Sequence, residues 1–175
     1  MEFDPEKLSK LDAARRQLRQ AIHLFLSGGD MIAVHTLAAA SLQVLADLGA
    51  KSGVESMVKN PKLIQPEKRK YVAGKFCEAQ NFFKHADRDP HEILDFFAEA
   101  TPFYIVDAVV LYERVSGSST HACKAFNVWF SLNYPDVLID GAYKKYIESV
   151  VTADPDLANR EVANELLLQL EKNDI

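Results

Sequence analysis

Apolar residues in this chain recur at steps of three and four between short breaker segments, with no sustained alternation of two. That period places them on one face of a helix and leaves no half-buried strand to build a sheet. The expected fold class is therefore all-α: one domain of about six or seven helices, spanning 1–175, with no β-sheet. A chain of 175 residues can bury a substantial core without disulfides or a metal.

The breakers set the expected boundaries. Asp4-Pro5 opens the first helix, with Asp4 as N-cap, and Ser27-Gly28-Gly29 closes it. Leu8, Leu11, Leu18, Ile22 and Phe25 form its stripe. Asp30 caps a second helix whose inner face holds Val34, Leu37, Ala38, Ser41, Leu45 and Leu48, and Gly49 to Gly53 ends it. A short turn over 54–59 and a loop at Asn60-Pro61 follow. Gln65-Pro66-Glu67 opens the third helix. Asp89-Pro90-His91-Glu92 reads as the capped start of a fourth, running to about Ala98 and restarting at Thr101-Pro102. Phe103 to Tyr112 is apolar on nearly all sides, which marks the most buried element. Thr120 to Leu132 forms a fifth helix carrying Phe126, Trp129 and Phe130. Two more helices are expected over 140–151 and from Asp154-Pro155 to about Asn173.

The stretch Tyr71 to Glu92 organises the functional reading. Val72, Phe76, Ala79, Phe83 and Ala86 share one helical face and read as core. At ~100° per residue the opposite face gathers Lys70, Gly74, Cys77, Asn81, Lys84, His85 and Arg88. The third and fourth helices are expected at the centre of the bundle. Small-residue faces at Gly74, Cys77 and Asn81, or at Ala39 and Ala46, would let a second copy approach, so a homodimer is expected.

Charge narrows the partners. The net charge is −5 and the pI about 5.5, which argues against bulk binding to DNA or to an anionic membrane. Nine acids against four bases lie from Asp136 onward. By contrast, Lys59, Lys62, Lys68, Arg69, Lys70 and Lys75 cluster around a single Glu67, where a phosphate-bearing ligand could bind. Cys77 and Cys123 both sit in helical patterns, as expected of reduced thiols. No charged-then-apolar leader opens the chain, and no apolar run approaches about 18 residues, so no membrane and a cytoplasmic location are expected.

His85 is the leading candidate for chemistry. Asn81, one turn earlier, could orient its imidazole, while Lys84, Arg88 and Lys70 could hold an anion. His23 reads as exposed and inert, and His35 as a satisfied histidine beside the core. His85, Asp87, Asp89, His91 and Glu92 match no metal signature, so neither a metal nor another cofactor is expected. Cys77, inside a helix, lacks the positive helix terminus that would activate a nucleophile.

Two resemblances follow from these residues. The blocks IAVHTLAAASLQVLADL and NFFKHADRDP resemble a group of bacterial all-helical proteins that carry both in the same order, which implies a shared fold and no particular chemistry. Gln80-Asn81-Phe82-Phe83-Lys84-His85 remotely resembles the motif of HEPN-type domains, an arginine, then four to six residues, often beginning with asparagine, and then a histidine. That resemblance implies a helical bundle that dimerises, with metal-independent ribonuclease activity in some members. Asn81 and His85 match, but Gln80 stands where the arginine belongs and cannot stabilise charge on a phosphate. The expected function is therefore a non-catalytic or weakly catalytic interaction or regulatory module, with a protein partner or a phosphate-bearing ligand. The alternatives are a metal-independent ribonuclease using His85 and Asn81, and a sensor binding a small anion on the same face.

Overall fold

A computed structural model describes residues 4–59, 65–87 and 90–173. Among them the chain forms seven α-helices, three single-turn 3-10 helices and no strand, so the all-α class expected from the sequence holds. The helices are α1 (Lys10–Leu26), α2 (Met31–Ala50), α3 (Pro66–Phe82), α4 (Thr101–Ser116), α5 (His121–Asn133), α6 (Ala142–Ala153) and α7 (Arg160–Lys172). Expectations at Asn60, Pro61, Lys62, Arg88 and Asp89 lie outside the described residues. So do those for the side chains of Arg69, Val72, Lys75 and Phe76.

The core is built by α1, α2, α4 and α5, with α7 laid against α5. Small residues bring the first two helices together. Ala14, Ala21, Ala38 and Ala39 are fully buried, and Ser41 donates its hydroxyl to the Ala14 carbonyl at 2.9 Å. The turn between them needs Gly28 in the left-handed region, at φ 75°. Leu42 and Leu45 of α2 meet Ile105, Val109 and Leu111 of α4, while Phe25 packs edge-on against Phe126 and Trp129 of α5. A Cβ on Gly49 would lie 2.8 Å from the Val54 carbonyl, so only glycine lets the chain turn back so closely. Arg160 opens α7 with its guanidinium 4.1 Å from the centre of the Phe25 ring.

Several expectations change. The first helix starts at Lys10, because Ser9 and Asp12 form a reciprocal capping box that outcompetes Asp4-Pro5. The last begins at Arg160 behind an Asn159 cap, after a separate 3-10 turn at Pro155–Ala158. No helix spans 92–97. Exposure alternates there instead, with Leu94 and Phe96 turned inward and Ile93 and Phe97 turned out, so the segment is an extended strap. The fourth helix proper starts at Thr101, and its Phe103–Tyr112 run is deeply buried as expected.

The expected centre shifts as well. α4 is central but α3 is peripheral, touching α2 only lightly. Of the described members of the stripe read as core, Ala79 and Phe83 are half-buried and Ala86 is exposed. On the other small-residue face, Ala39 is fully buried in the bundle and Ala46 is half-buried against its core. His23 is not exposed and inert. With Arg19 it binds Glu171 of α7, at 3.1 and 3.0 Å. Burial alone would raise the Glu171 carboxyl, but these two partners hold it below its ordinary range. By length and composition α2 could cross a bilayer, contrary to the reading that no apolar run is long enough. In the bundle its apolar residues form the central core face between α1 and α4.

One buried acid fixes how the periphery attaches. Asp107, in the middle of α4 and 1% exposed, accepts hydrogen bonds from the Ser56 hydroxyl (2.5 Å), Val58 N–H (2.9 Å) and Met57 N–H (3.1 Å). A buried carboxylate is tolerated when its oxygens are satisfied in this way. Ser56 in turn receives the Lys59 N–H at 2.8 Å.

His35 is 2% exposed and sits among Tyr104, Phe96 and Phe83, with ring centroids 4.5, 5.4 and 6.0 Å away. Its Nδ1 pairs with the Thr101 hydroxyl at 3.1 Å, but Nε2 has no hydrogen-bond partner. The histidine is thus only half satisfied, and more deeply buried than its sequence position suggested. Burial, reinforced by the charge of Lys59, lowers its pKa to about 4. The unfolded chain therefore takes up this proton first, near pH 6.5, and folding loses stability as pH falls from there to about 4. The loss attributable to His35 is about 3 kcal/mol. Urea unfolding of His35→Gln should show a correspondingly shallower fall across that window than the unmodified chain; equal slopes would mean that His35 does not titrate in this way.

Candidate functional site

α3 begins with Pro66 at its first position, where the missing N–H costs nothing, and ends at Phe82. Among the described side chains, two anchors hold it to the bundle. Near its C-terminal end, Phe83 enters the aromatic group around His35. One turn earlier, Lys59 Nζ donates to Gln80 Oε1 at 3.1 Å and approaches Cys77 Sγ at 3.3 Å. Gln80 is buried. The face bearing Cys77 and Gln80 is therefore turned toward the loop that Asp107 holds, and the opposite face of α3 is left outward.

That outward face forms one wall of a groove of about 1030 Å³. α3 contributes Glu67, Lys70, Tyr71, Gly74, Glu78, Asn81 and Phe82; the turn after it adds His85 and Asp87, and the strap adds Glu92 and Leu94. Three residues expected at the site, Lys70, Asn81 and His85, are thus brought together. Lys84 is exposed and does not line the groove, and Arg88 lies outside the described residues.

The local geometry around His85 differs from expectation. α3 stops before it, so the imidazole projects from a turn, and the turn is closed by the His85 N–H on the Asn81 carbonyl at 3.1 Å. Among the described residues, that backbone bond is what joins the two; the Asn81 amide does not orient the ring. The described groove lining carries four carboxylates (Glu67, Glu78, Asp87 and Glu92) against one ammonium, Lys70. A phosphate in this groove would meet the Glu67 and Asp87 carboxylates as well as the Lys70 ammonium. No group of three metal-ligating side chains converges among the described residues.

Gln80, the residue in the arginine position of the HEPN-type motif, points away from both Asn81 and His85. Restoring a cation there would not complete the motif, because the new guanidinium would face the Lys59 ammonium. Some of the groove was readable in the sequence. Glu67, Tyr71 and Glu78 fall on the same helical stripe as Gly74 and Asn81, and a full turn-by-turn projection would have included them. Leu94 and Glu92 were hidden by the expectation of a helix where the strap runs. Lys59 and Asp107 carry no local signal at all, since their roles exist only in the folded chain.

Comparisons with protein-family models, curated proteins and solved structures find no match to this chain.

Replacing Gln80 therefore bears on α3 docking rather than on catalysis. Gln80→Arg should lower unfolding stability by roughly 1–3 kcal/mol, through like-charge repulsion and loss of the Lys59 bond. A denaturation midpoint unchanged or raised would show that the residue at 80 is free to turn into the groove.

Proposed function

We propose that this protein is a non-catalytic, HEPN-like helical interaction module that acts as a homodimer, with the outer face of α3 as its working surface. The observation that carries the reading is the orientation of Gln80. Cleavage of RNA by a histidine of this kind needs a fixed cation beside the scissile phosphate, and losing one oriented donor typically costs ~10²–10³-fold in rate. Here the position that would supply it is occupied by a neutral side chain, buried and committed to Lys59. The carboxylates around His85 oppose the same chemistry.

Exposed apolar side chains favour a protein partner. Tyr71, 70% exposed, lines the groove, and Ile93 (91%) and Phe97 (72%) are exposed on the strap whose Glu92 and Leu94 line it. Isolated exposed apolar residues are ordinary, but three large ones on two neighbouring segments favour an interaction surface. The two free thiols, Cys77 and Cys123, fit a reducing, cytoplasmic setting.

The purified protein, incubated in EDTA with single-stranded RNA, should give no cleavage above background and no salt-sensitive RNA binding. Robust cleavage that disappears in His85→Ala would establish the ribonuclease instead. Salt-sensitive binding without cleavage would favour a sensor of phosphate groups.

A further inference from the structure

We propose that the strap over 92–97 and the end of α3 form a proton-operated latch on His35: both close over the neutral imidazole and let go together when it takes up a proton, while α1, α2, α4 and α5 stay packed. The arrangement of rings carries the inference. Phe83, at the end of α3, and Phe96, on the strap, pack edge-on with centroids 5.3 Å apart, and each also meets the His35 ring, at 6.0 and 5.4 Å. From α4 come Tyr104, 4.5 Å away, and the Thr101 hydroxyl, 3.1 Å from Nδ1. Two peripheral segments thus meet each other on one buried side chain of a core helix.

The closed latch has no place for a second N–H on that ring. A neutral imidazole carries one N–H and the cation carries two. Nδ1 has Thr101, but Nε2 has no hydrogen-bond partner and the residue is only 2% exposed. A charged donor there is stranded until the lid opens to water. The neighbours do not compensate. The structure gives His35 no carboxylate partner among the described residues, and burial together with the Lys59 ammonium holds its pKa at about 4. Burial, helped by the Cys77 thiol, raises the Tyr104 phenol, which stays neutral. Lys84, His85 and Asp87 on the turn after α3, and Glu92, Asp95 and Glu99 between the strap and α4, are all exposed. On α2 itself, Asp30 accepts from the Ile32 and Ala33 N–H groups, and Asp47 lies about three turns beyond His35.

The strap is a place where the fold can open without parting its core. Among the described residues no backbone hydrogen bond joins 93–96 to the bundle, so side chains hold this segment down. α3 and the strap are also the two walls of the groove, one bringing Lys70 and Asn81 and the other Glu92 and Leu94. Opening the latch dismantles that surface, so acid would release whatever it holds. The latch itself does not depend on what the groove binds.

The direction with pH follows from where the proton goes. Above about pH 6.5 both states hold a neutral imidazole and the latch is closed. Below it the open state, with the ring in water, takes up the proton first. The opening constant should therefore rise about tenfold per pH unit down to about pH 4, roughly 300-fold in all.

Amide hydrogen exchange of the full chain, corrected for the intrinsic pH dependence of exchange, tests this. Between about pH 6.5 and about pH 4.5, opening of Pro66–Phe82 should increase roughly a hundredfold, with far smaller changes in α1 and α5. His35→Gln keeps a polar side chain that does not titrate, and should flatten the response. Phe96→Ala removes the strap's ring from the lid. It should loosen α3 already near neutral pH and shrink the response to acid, because the imidazole is then wet throughout. Equal or greater protection of α3 at the lower pH overturns the proposal. So does loss of protection in all helices together, which would mean that the proton unfolds the bundle. An acid response kept in His35→Gln, or left at full size in Phe96→Ala, overturns it as well.

Discussion

A carboxylate buried in the middle of a core helix must find donors, and Asp107 finds them in the chain that follows α2. Its oxygens take up the Ser56 hydroxyl and two backbone N–H groups that would otherwise be stranded at the protein interior. The bonds do more than satisfy the acid. They fold 56–58 onto α4, and Ser56 then receives the Lys59 N–H, which sets the direction of the Lys59 side chain. The outer part of the molecule is hung from this point.

From there the order runs outward. Lys59 reaches Gln80 and Cys77 and so fixes the rotation of α3, while Phe83 pins its end among His35, Phe96 and Tyr104. Burial pushes the Tyr104 phenol to a raised pKa and His35 to a lowered one, so both remain neutral around neutral pH. With one side of α3 committed inward, the other side must face out. The groove, its carboxylates and the position of Gly74 all follow from that rotation. Among the described side chains of α3, these anchors are the ones that tie it to the bundle.

The helical class and most boundaries were legible because caps and breakers act locally. Asp30 and Thr120 bond the first-turn N–H groups of their helices, and Pro66 opens α3, all as their sequence positions suggest. The errors arose where a local signal met a stronger competitor. Asp4-Pro5 lost to the capping box of Ser9 and Asp12. The stretch 92–97 combined apolar residues that serve a helix or an extended strap equally well over so short a span. Of the candidate residues, Lys70 and Asn81 share a stripe of α3 and His85 follows on the turn after it, so all three line the groove. What escaped was the inward turn of Gln80, set by Lys59 and hence by Asp107. Contacts between residues so far apart in the chain leave no periodicity to read.

The dependence of α3 on Asp107 can be measured by amide hydrogen exchange in Asp107→Asn. The amide preserves the volume but turns an N–H₂ group toward donors that need acceptors, at a cost of roughly 1–3 kcal/mol. If α3 hangs from this carboxylate, exchange across Pro66–Phe82 should rise by roughly ten- to a hundredfold, with much smaller changes in α1 and α2. Unchanged protection in α3, with 54–59 alone opening, would show that Phe83 and its aromatic neighbours hold the helix without help from Asp107, and would contradict the account.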